Sequence, residues 1–277
     1  MNVAFQGIQG AYSEVAVYRH FGEDTEAIGY AIFEEVFDAV VNGEADAGII
    51  PVENSIAGSV SRNLDFFLEK PVFGVAEIYL PIRHCLLAKT GVPLESITTV
   101  LSHPVALEQC EKFIQEHGFD SLPEYDTAGA AKMVSEEDNP ARAAIASALA
   151  GEIYGLNIVA RDIQTTHINS TRFLVIMQEA RDDLPREKTS IAFKTTHQPG
   201  ALERALHRLS ENRVNLTRIQ SRPIPENPWE YVFYADFEGG TDDPNVKQAL
   251  NELGEETAYL KILGSYPKGN YEDGIEK

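Results

Sequence analysis

The feature that most constrains the fold is an alternation of short apolar runs with helical patterns, which continues from Asn2 to about Ala180. This alternation is typical of α/β layering around a mostly parallel sheet. The strands predicted in this part are Val3 to Phe5, Ala47 to Val52, Thr98 to Ser102 and Phe173 to Met177. The helices predicted between them are Tyr12 to His20, Phe33 to Asn42, Val60 to Leu68 and Pro104 to His117.

Two segments interrupt the alternation. The run from Pro71 to Ala88 is long, extended and carries Pro81 at its middle, which predicts a strand that leaves one lobe and enters another, with a hinge near Pro81. The run from Glu179 to Lys188 is highly charged, contains Pro185 and lacks apolar periodicity. Such a segment predicts a domain boundary.

Beyond that boundary the apolar pattern changes. The order of predicted elements becomes βαββαβ, which is typical of a ferredoxin-like domain. Its elements are the strand Ser190 to Lys194, the helix Gly200 to Ser210, the strands Thr217 to Arg222 and Glu230 to Phe237, the helix Val246 to Leu253 and the strand Tyr259 to Leu263.

Charge and cysteine content exclude several classes of function. The formal net charge of -20 repels nucleic acids and anionic membranes, although arginines and helix N-termini can make one cleft locally positive for a small anion. Two cysteines without metal-ligand spacing predict neither disulfides nor a metal site, and the N-terminus lacks the pattern of a signal peptide. We therefore expect a cytoplasmic protein. A small anionic substrate stays possible, with Arg83, Arg161 and Arg172 as candidates for the local positive charge.

Polar residues follow the strand that ends near Val52, where α/β folds keep their sites. Glu53 would serve as a proton donor if burial kept it protonated, and Asn54 and Ser55 offer neutral hydrogen bonds. The same residues also suit a plain turn. The next strand ends at Ser102, and Gln109 returns to the same helical face seven positions later.

Three further segments are rich in polar groups, and each also has a purely structural interpretation. The turn from Gly7 to Glu14 suits an anion or a tight turn with Ser13 in the first helical turn. The segment Asp126-Thr127 suits a helix cap, and His103 suits a helix start rather than a catalytic base. The run from Ile163 to Phe173 is dense in hydroxyls and amides before a buried strand.

Taken together and in order, these motifs resemble prephenate dehydratase over nearly the whole chain. The matching stretches are PVENSIAGSV, SHPVALEQC, DTAGAAK, AAIAS with YGL, and NSTRF, followed by PGAL and NLTRIQSRP, which resemble an ACT regulatory domain. The resemblance implies a two-lobed, periplasmic-binding-protein-like catalytic domain over residues 1–182 and a ferredoxin-like ACT domain over residues 188–277. Within the catalytic domain, one lobe would comprise about residues 1–79 with 161–182, and the other residues 80–160.

The resemblance also implies an activity, namely the conversion of prephenate to phenylpyruvate with loss of carbon dioxide and water, without metal or other cofactor. A threonine hydroxyl is too weak an acid to donate freely, so we expect Thr171 to hydrogen-bond the leaving oxygen. Arg172, with its planar guanidinium, is the candidate clamp for a substrate carboxylate. The expected catalytic residues are Thr171, Glu53, Asn54 and Gln109, and the expected substrate-binding residues are Ser55, Ser102, Arg172, Ser13 and Thr127.

The ACT domain implies L-phenylalanine as feedback effector, held between two ACT domains, and hence a homo-oligomer, either a dimer or a dimer of dimers. One departure from the family pattern is Gln220, where the family's ESRP motif has glutamate; the change removes a negative charge that could balance an amino group. Two rival hypotheses stay open, an arogenate dehydratase and a non-catalytic solute-sensing protein. The expected effector-binding residues are Gly200, Ala201, Leu202, Asn215, Leu216, Gln220, Ser221, Arg222 and Pro223.

Overall fold

The computed structural model describes residues 1–166, 168–224 and 227–271, so the end of the segment 188–277 lies outside the described residues. The strands are β1 Asn2–Gln6, β2 Glu26–Tyr30, β3 Ala47–Asn54, β4 Gly58–Ser59, β5 Phe73–Pro81, β6 Cys85–Ala88, β7 Thr99–Ser102, β8 Asp120–Pro123, β9 Arg142–Ala146, β10 Asn157–Ala160, β11 Ser170–Met177, β12 Lys188–Thr195, β13 Leu216–Ile224, β14 Asn227–Glu238 and β15 Thr257–Tyr266. The helices are α1 Tyr12–Phe21, α2 Phe33–Val41, α3 Ser61–Glu69, α4 Pro104–Gln109, α5 Glu111–His117, α6 Thr127–Glu136, α7 Ala148–Ile153, α8 Ala201–Glu211 and α9 Pro244–Glu256.

One lobe is built on a sheet in the order β5-β11-β3-β1-β2, with the short β4 paired to β3. Strand β1 runs parallel to β2 and β3, whereas β11 runs antiparallel to both β3 and β5. The sheet is therefore mixed rather than mostly parallel, because β11 enters it from the other lobe. Apolar residues of β1, β3, β5 and β11 pack against α1 and form one core cluster.

The other lobe has its own sheet in the order β10-β6-β9-β7-β8. The chain enters it between Pro81 and Cys85, where the sequence predicts a hinge, and returns between Ala160 and Ser170. Here β7 runs parallel to β8 and β9, and β6 runs antiparallel to β9 and β10. The predicted helix Pro104 to His117 is interrupted at Cys110, whose ψ of 12° departs from helical geometry.

The C-terminal part has the predicted βαββαβ order, with its strands arranged β13-β14-β12-β15. Helices α8 and α9 cover one face of this sheet through a separate core cluster. On its other face Tyr234 and Tyr266 pack with Leu64 and Phe67 of α3. The two-lobed α/β fold followed by a ferredoxin-like domain is thus confirmed.

The C-terminal sheet also joins the first lobe edge to edge. Strand β15 pairs in parallel with β5 at Gly264 and Gly74. A Cβ added at Gly264 would lie 2.2 Å from the carbonyl oxygen of Gly74, so a side chain here would push the strands apart. Within the described ranges, the chain contains no helix long and apolar enough to cross a bilayer.

Candidate active site

Thr171 and Asn54 lie opposite each other on the antiparallel strands β11 and β3. The side-chain nitrogen of Asn54 donates a hydrogen bond of 3.0 Å to the hydroxyl oxygen of Thr171. The prediction of a strand starting at Phe173 was wrong by three residues, because Ser170 and Thr171 already pair with β5. Thr171 is consequently held by strands on both sides rather than carried on a loop.

The orientation of the Asn54 amide is fixed by the main chain. Its Oδ1 accepts hydrogen bonds from the N–H groups of Ile56 (3.0 Å) and Ala57 (2.8 Å), so its Nδ2 must point towards β11. There Nδ2 donates to Thr171 and to Oδ1 of Asn169. Since the hydroxyl oxygen of Thr171 accepts this hydrogen bond, its own hydrogen is available to donate elsewhere.

The amide of Gln109 lies at the other end of the same group of side chains. Its Oε1 accepts a hydrogen bond of 2.9 Å from Nδ2 of Asn169 and lies 2.8 Å from Nε2 of His84. The other ring nitrogen of His84 lies 2.8 Å from the hydroxyl of Tyr12. A continuous series of hydrogen bonds thus connects Tyr12 in α1 to Thr171 in β11.

All of these side chains except Asn169 line a cavity of about 320 Å³ between the lobes. Its volume is at the lower end of the range for small-molecule sites. Ser13 and Thr127, in the first turns of α1 and α6, both line it, as predicted for substrate-binding residues. The remaining walls are mainly apolar and come from both lobes, with Phe33, Ala57, Val60, Ile82, Val105 and Phe173 among them.

The charge of this cavity differs from the prediction. Lys and Arg do not occur among the described residues that line it, and its one carboxylate, Asp126, accepts a hydrogen bond from the N–H of Gly129. Arg83 and Arg161 instead line a separate cavity of about 480 Å³. Favourable groups for an anion in the candidate site are therefore neutral, namely side-chain donors and the main-chain N–H groups of the first turns of α1 and α6.

The prediction that Arg172 clamps a substrate carboxylate was wrong. Successive residues of a strand point to opposite faces, so Arg172 faces away from Thr171. Its guanidinium donates to Glu77 (2.7 Å), to Asp236 (2.5 Å) and to the hydroxyl of Tyr266 (3.0 Å), and the residue is only 4% exposed. The last two partners belong to the C-terminal domain, so Arg172 joins the two domains.

The prediction that Glu53 acts in the cavity was also wrong, because its side chain points to the other face of the strand. It pairs with Arg172 across the strands and therefore lies on the face opposite the cavity. Its carboxylate is 3.6 Å from the guanidinium of Arg218, and its side chain is 42% exposed. Neither burial nor position supports a role as proton donor in the cavity.

Two serines predicted to bind substrate support the chain instead. The hydroxyl of Ser102 is completely buried and donates to the carbonyl of Ile145 at 2.6 Å. The hydroxyl of Ser55 donates to the carbonyl of Ile168 and accepts from the N–H of Ser170, at 3.0 Å each. Neither side chain lines the cavity. His103, in contrast, begins α4 as predicted, with its ring accepting from the N–H of Val105.

The glycine-rich turn before α1 contacts protein rather than leaving space for a ligand at Gly10. A Cβ at Gly10 would lie 2.7 Å from Ala150 of α7, and the φ of Gly10 is +90°. The carbonyl of Gly10 accepts a hydrogen bond of 2.6 Å from Ser147 in the other lobe. Gly10 therefore permits close packing of the two lobes.

The sequence did not single out His84, Asn169 or Tyr12, although all three belong to the hydrogen-bonded series. Asn169 lies inside the polar run before β11, and Tyr12 opens a predicted helix. His84 stands in the extended run that crosses between the lobes, one residue before β6, where a polar residue between two strands is the available signal.

The expected effector residues divide between two surfaces. Gly200 precedes α8 with φ of +77°, and Ala201 and Leu202 follow it in the helix. Asn215 and Leu216 line a cavity of about 450 Å³ between α8 and β13. Of the expected effector residues on β13, Ser221 and Pro223 are exposed.

Gln220 and Arg222 were predicted to contact the effector, but their side chains turn towards the catalytic lobe. The amide of Gln220 donates to Ser61 at 2.7 Å and accepts from Ser59 at 2.5 Å. Arg222 pairs with Asp65 of α3 at 2.5 Å. Both side chains therefore lie at the contact between domains within one chain.

Comparisons with known proteins agree with this arrangement. Residues 3–181 match the family model of prephenate dehydratase, and residues 189–255 match that of the ACT domain. Arogenate dehydratase/prephenate dehydratase 2 from Arabidopsis thaliana is 41% identical over 96% of this chain and 73% of its own length. The crystal structure of a prephenate dehydratase from Arthrobacter aurescens in complex with L-Phe superposes with a TM-score of 0.89 at 32% identity, over 97% of this chain and 90% of that chain.

A second solved structure is similar to the same extent. It is described as GqqA, a novel type of quorum quenching acylase, and it superposes with a TM-score of 0.90 at 35% identity. The superposition covers 96% of this chain and 98% of that chain.

Proposed function

The chain belongs to the prephenate dehydratase family, and we propose that it converts prephenate to phenylpyruvate in the cavity between its two lobes. In this reaction the bond from the ring to its carboxylate breaks, and the electrons of that bond complete the aromatic ring. The ring hydroxyl leaves, takes up one proton and departs as water. The observation that carries the proposal is the hydroxyl of Thr171, aimed into a largely apolar cavity without Lys or Arg in its described lining.

The lining suits the decarboxylation half of the reaction. A carboxylate loses its charge as carbon dioxide leaves, so a cation at that carboxylate would stabilise the substrate more than the transition state. The apolar walls and neutral donors hold the substrate while leaving that charge poorly stabilised. The first turns of α1 and α6 offer N–H groups to the second carboxylate.

Dehydration depends on the polarity of the hydrogen bonds around Thr171. Because Asn54 donates to the Thr171 oxygen, the Thr171 O–H can donate to the departing hydroxyl. Negative charge accumulates on that oxygen as the C–O bond breaks, so this donor is most valuable in the transition state. Thr171 acts as a positioned hydrogen-bond donor and not as a nucleophile.

The direct test mixes the purified full chain with prephenate and follows the ultraviolet absorbance of phenylpyruvate. We expect catalysed formation of phenylpyruvate, with carbon dioxide released in equal amount. Formation at the rate of the uncatalysed reaction would overturn the proposed activity.

A second candidate substrate is arogenate, which carries an amino group where prephenate carries a keto group. The observation in its favour is Asp126, the one carboxylate in the described lining of the cavity, since a carboxylate suits an ammonium group. Parallel measurements of kcat/KM on both substrates decide between them. If Asp126 recognises the ammonium group, Asp126→Asn lowers kcat/KM for arogenate while that for prephenate stays similar.

We also propose regulation by L-phenylalanine through the C-terminal domain, with residues 1–182 as the catalytic domain and 188–277 as the ACT domain. The ACT family match and the complex of the related enzyme with L-Phe support this proposal. Strand β13 stands at the end of its sheet, and so offers an edge to a second copy. A homodimer or a dimer of dimers is expected in light scattering, and calorimetry without heat at millimolar phenylalanine would contradict the regulation.

The proposed compartment is the cytoplasm. Both cysteines, Cys85 and Cys110, are buried and unpaired, which suits a reducing environment. Fractionation of the native host cell, followed by detection of the chain with an antibody, would test this proposal, and recovery outside the cytoplasmic fraction would contradict it.

A further inference from the structure

His84 is buried at the point where the chain crosses between the lobes. It is 2% exposed, and its main chain is bonded to the returning segment on both sides. Its N–H donates to the side chain of Gln164 at 2.9 Å, and its carbonyl accepts from the N–H of Ile163 at 3.1 Å. The main chain of His84 is therefore held in place on both sides. The two ring nitrogens face Tyr12 and Gln109.

The polarity of the hydrogen-bonded series can be followed from the main chain to this ring. The N–H groups of Ile56 and Ala57 hold Oδ1 of Asn54, so Nδ2 of Asn54 donates to Oδ1 of Asn169. The Nδ2 of Asn169 is then left to donate to Oε1 of Gln109. Reversing any one amide would set two donors or two acceptors against each other.

The hydrogen bond between Gln109 and His84 determines which ring nitrogen of His84 carries a hydrogen. The Oε1 of Gln109 only accepts, so Nε2 of His84 must carry a hydrogen and donate to it. In a neutral ring Nδ1 then has a free lone pair, which faces the hydroxyl of Tyr12 at 2.8 Å. The same hydroxyl lies 2.9 Å from the carbonyl oxygen of Arg83, so these two acceptors share its one hydrogen. Burial lowers the pKa of His84, with the hydrogen bond to Gln109 acting in the opposite direction, which favours the neutral ring.

We propose that His84, neutral and protonated on Nε2, is a positioning residue for the dehydration step. It orients the amide of Gln109 at one end of the series, while the main-chain N–H groups of Ile56 and Ala57 orient Asn54 at the other end. Asn169 is held between the two amides, so both ends together keep the hydroxyl of Thr171 donating into the cavity. The inference rests on the proposed function, and it adds a residue that lies outside every motif used to predict the site. Tyr12 has the supporting role of offering a hydrogen to Nδ1, which favours the neutral ring over the imidazolium.

The first experiment reads the tautomer without any turnover. Protein labelled with ¹⁵N in histidine is examined by long-range ¹H–¹⁵N spectroscopy near neutral pH, and the His84 signals are identified by their loss in His84→Gln. We expect the pattern of a neutral ring with hydrogen on Nε2. An imidazolium ring, or hydrogen on Nδ1, would overturn the proposal even if the enzyme is active.

The second experiment measures kcat and KM separately with the substrate that the wild-type enzyme turns over. His84→Leu removes the donor to Gln109 and should lower kcat on the order of 10- to 100-fold, as for other residues that orient a functional group. His84→Gln keeps an N–H donor at a similar reach and should recover most of the loss. Equal losses in both variants, or a change confined to KM, would contradict the proposal.

A matched pair on α1 tests the role of Tyr12. Tyr12→Phe removes the hydroxyl that faces Nδ1 of His84 and the carbonyl oxygen of Arg83, whereas Tyr18→Phe removes a hydroxyl that bonds only to Glu14 among the described contacts. We expect lower kcat and a larger fraction of imidazolium at His84 near neutral pH in Tyr12→Phe alone. Similar kcat values in the two variants would contradict the role of Tyr12, and this pair does not depend on the folding of His84→Leu.

A double-mutant cycle shows whether His84 acts through Thr171. In a Thr171→Ala background, His84→Leu should reduce kcat by no more than about threefold, since the group that it positions is already gone. Losses that multiply would mean that His84 acts independently and would overturn the inference. An inactive wild-type enzyme would instead overturn the proposed function, so the two failures are distinguishable.

Discussion

A single asparagine determines what the Thr171 hydroxyl can do. Asn54 is held by two main-chain N–H groups and can offer Thr171 only a donor, which leaves the Thr171 hydrogen for the substrate. The same geometry explains why this site manages without a strong nucleophile. A reaction that ends in an aromatic ring needs orientation and one well-placed donor more than it needs a reactive side chain.

At this scale we predict that Thr171→Ala lowers kcat far more than it raises KM. Loss of a donor to developing negative charge costs on the order of 100-fold in kcat, while ground-state binding changes little. Thr171→Ser, which keeps the hydroxyl, should retain much of the activity. Steady-state kinetics on the three enzymes provides the measurement, and an unchanged kcat in Thr171→Ala would exclude the assigned role.

Glu53 is the matched control for this prediction, since it stands beside Asn54 on the other face of the strand. Glu53→Gln keeps the size of the side chain and removes the charge near Arg218. We expect kcat to change by about twofold or less, as for surface changes away from a site. A loss similar to that of Thr171→Ala would restore Glu53 as a catalytic residue.

Among the elements, β13 links the effector domain to the cavity. Its side chains alternate, so that Arg218, Gln220 and Arg222 contact the catalytic lobe while Ser221 and Pro223 are exposed on the opposite face. Gln220 bonds to Ser59, and the segment from Asn54 to Val60 contributes directly to the cavity wall. A displacement of β13 would therefore reach the residues around Asn54 through side-chain contacts.

The corresponding prediction separates binding of phenylalanine from inhibition. Gln220→Ala removes the hydrogen bonds to Ser59 and Ser61, so it should weaken inhibition of turnover while leaving the dissociation constant of phenylalanine within about threefold, the size of effect of a single uncharged contact. Ser59→Ala, on the catalytic side of the same contact, should act in the same direction. Calorimetry and inhibition curves check both, and parallel loss of binding and inhibition would argue against this coupling.

For the molecule as a whole, a buried network of charges holds the domains together. Glu77 accepts from Arg172 and from Lys188, and Asp236 accepts from Arg172 and Ser190. Burial by itself would raise the pKa of Asp236, but the nearby Arg172 and Arg218 and the hydrogen bond from Ser190 lower it on balance. Because the folded pKa lies below the unfolded one, Asp236 contributes stability that is present above the unfolded pKa and is lost as pH falls through the folded pKa.

We therefore predict that the free energy of unfolding declines at pH values below about 4, the unfolded range of an aspartate, and that Asp236→Asn reduces this decline. At neutral pH the variant should be less stable by about 3 kcal/mol, since it leaves a buried guanidinium with one partner fewer. Denaturant unfolding at a series of pH values measures both effects.

Asp183 is the control for this experiment. Its hydrogen bond with Arg181 lowers its pKa to about 2, but both groups are exposed at the surface. Asp183→Asn should leave the melting temperature unchanged, because exposed ion pairs contribute little to stability. A similar loss in the two variants would mean that the burial of Asp236 is not what makes its charge important.

The order of elements and part of the site followed from local sequence patterns. The helix and strand periods lie within single segments, so most elements were predicted from the residues that form them. Thr171, Asn54, Ser13 and Thr127 reach the cavity because they stand at strand ends or helix starts, where such folds bind ligands. Gln109 reaches it from the last turn of α4. The βαββαβ order and the resemblance to the family were likewise available without coordinates.

The direction of individual side chains was decided by the tertiary structure. Strand β11 is buried on both faces along nearly its whole length, so its sequence shows no alternation that would assign Thr171 to the cavity and Arg172 to the other domain. That assignment depends on the docking of Asp236 and Tyr266, which lie more than 60 positions away in the chain. The role of His84 also depends on tertiary structure, because its ring contacts Tyr12 and Gln109 only once the two lobes have assembled.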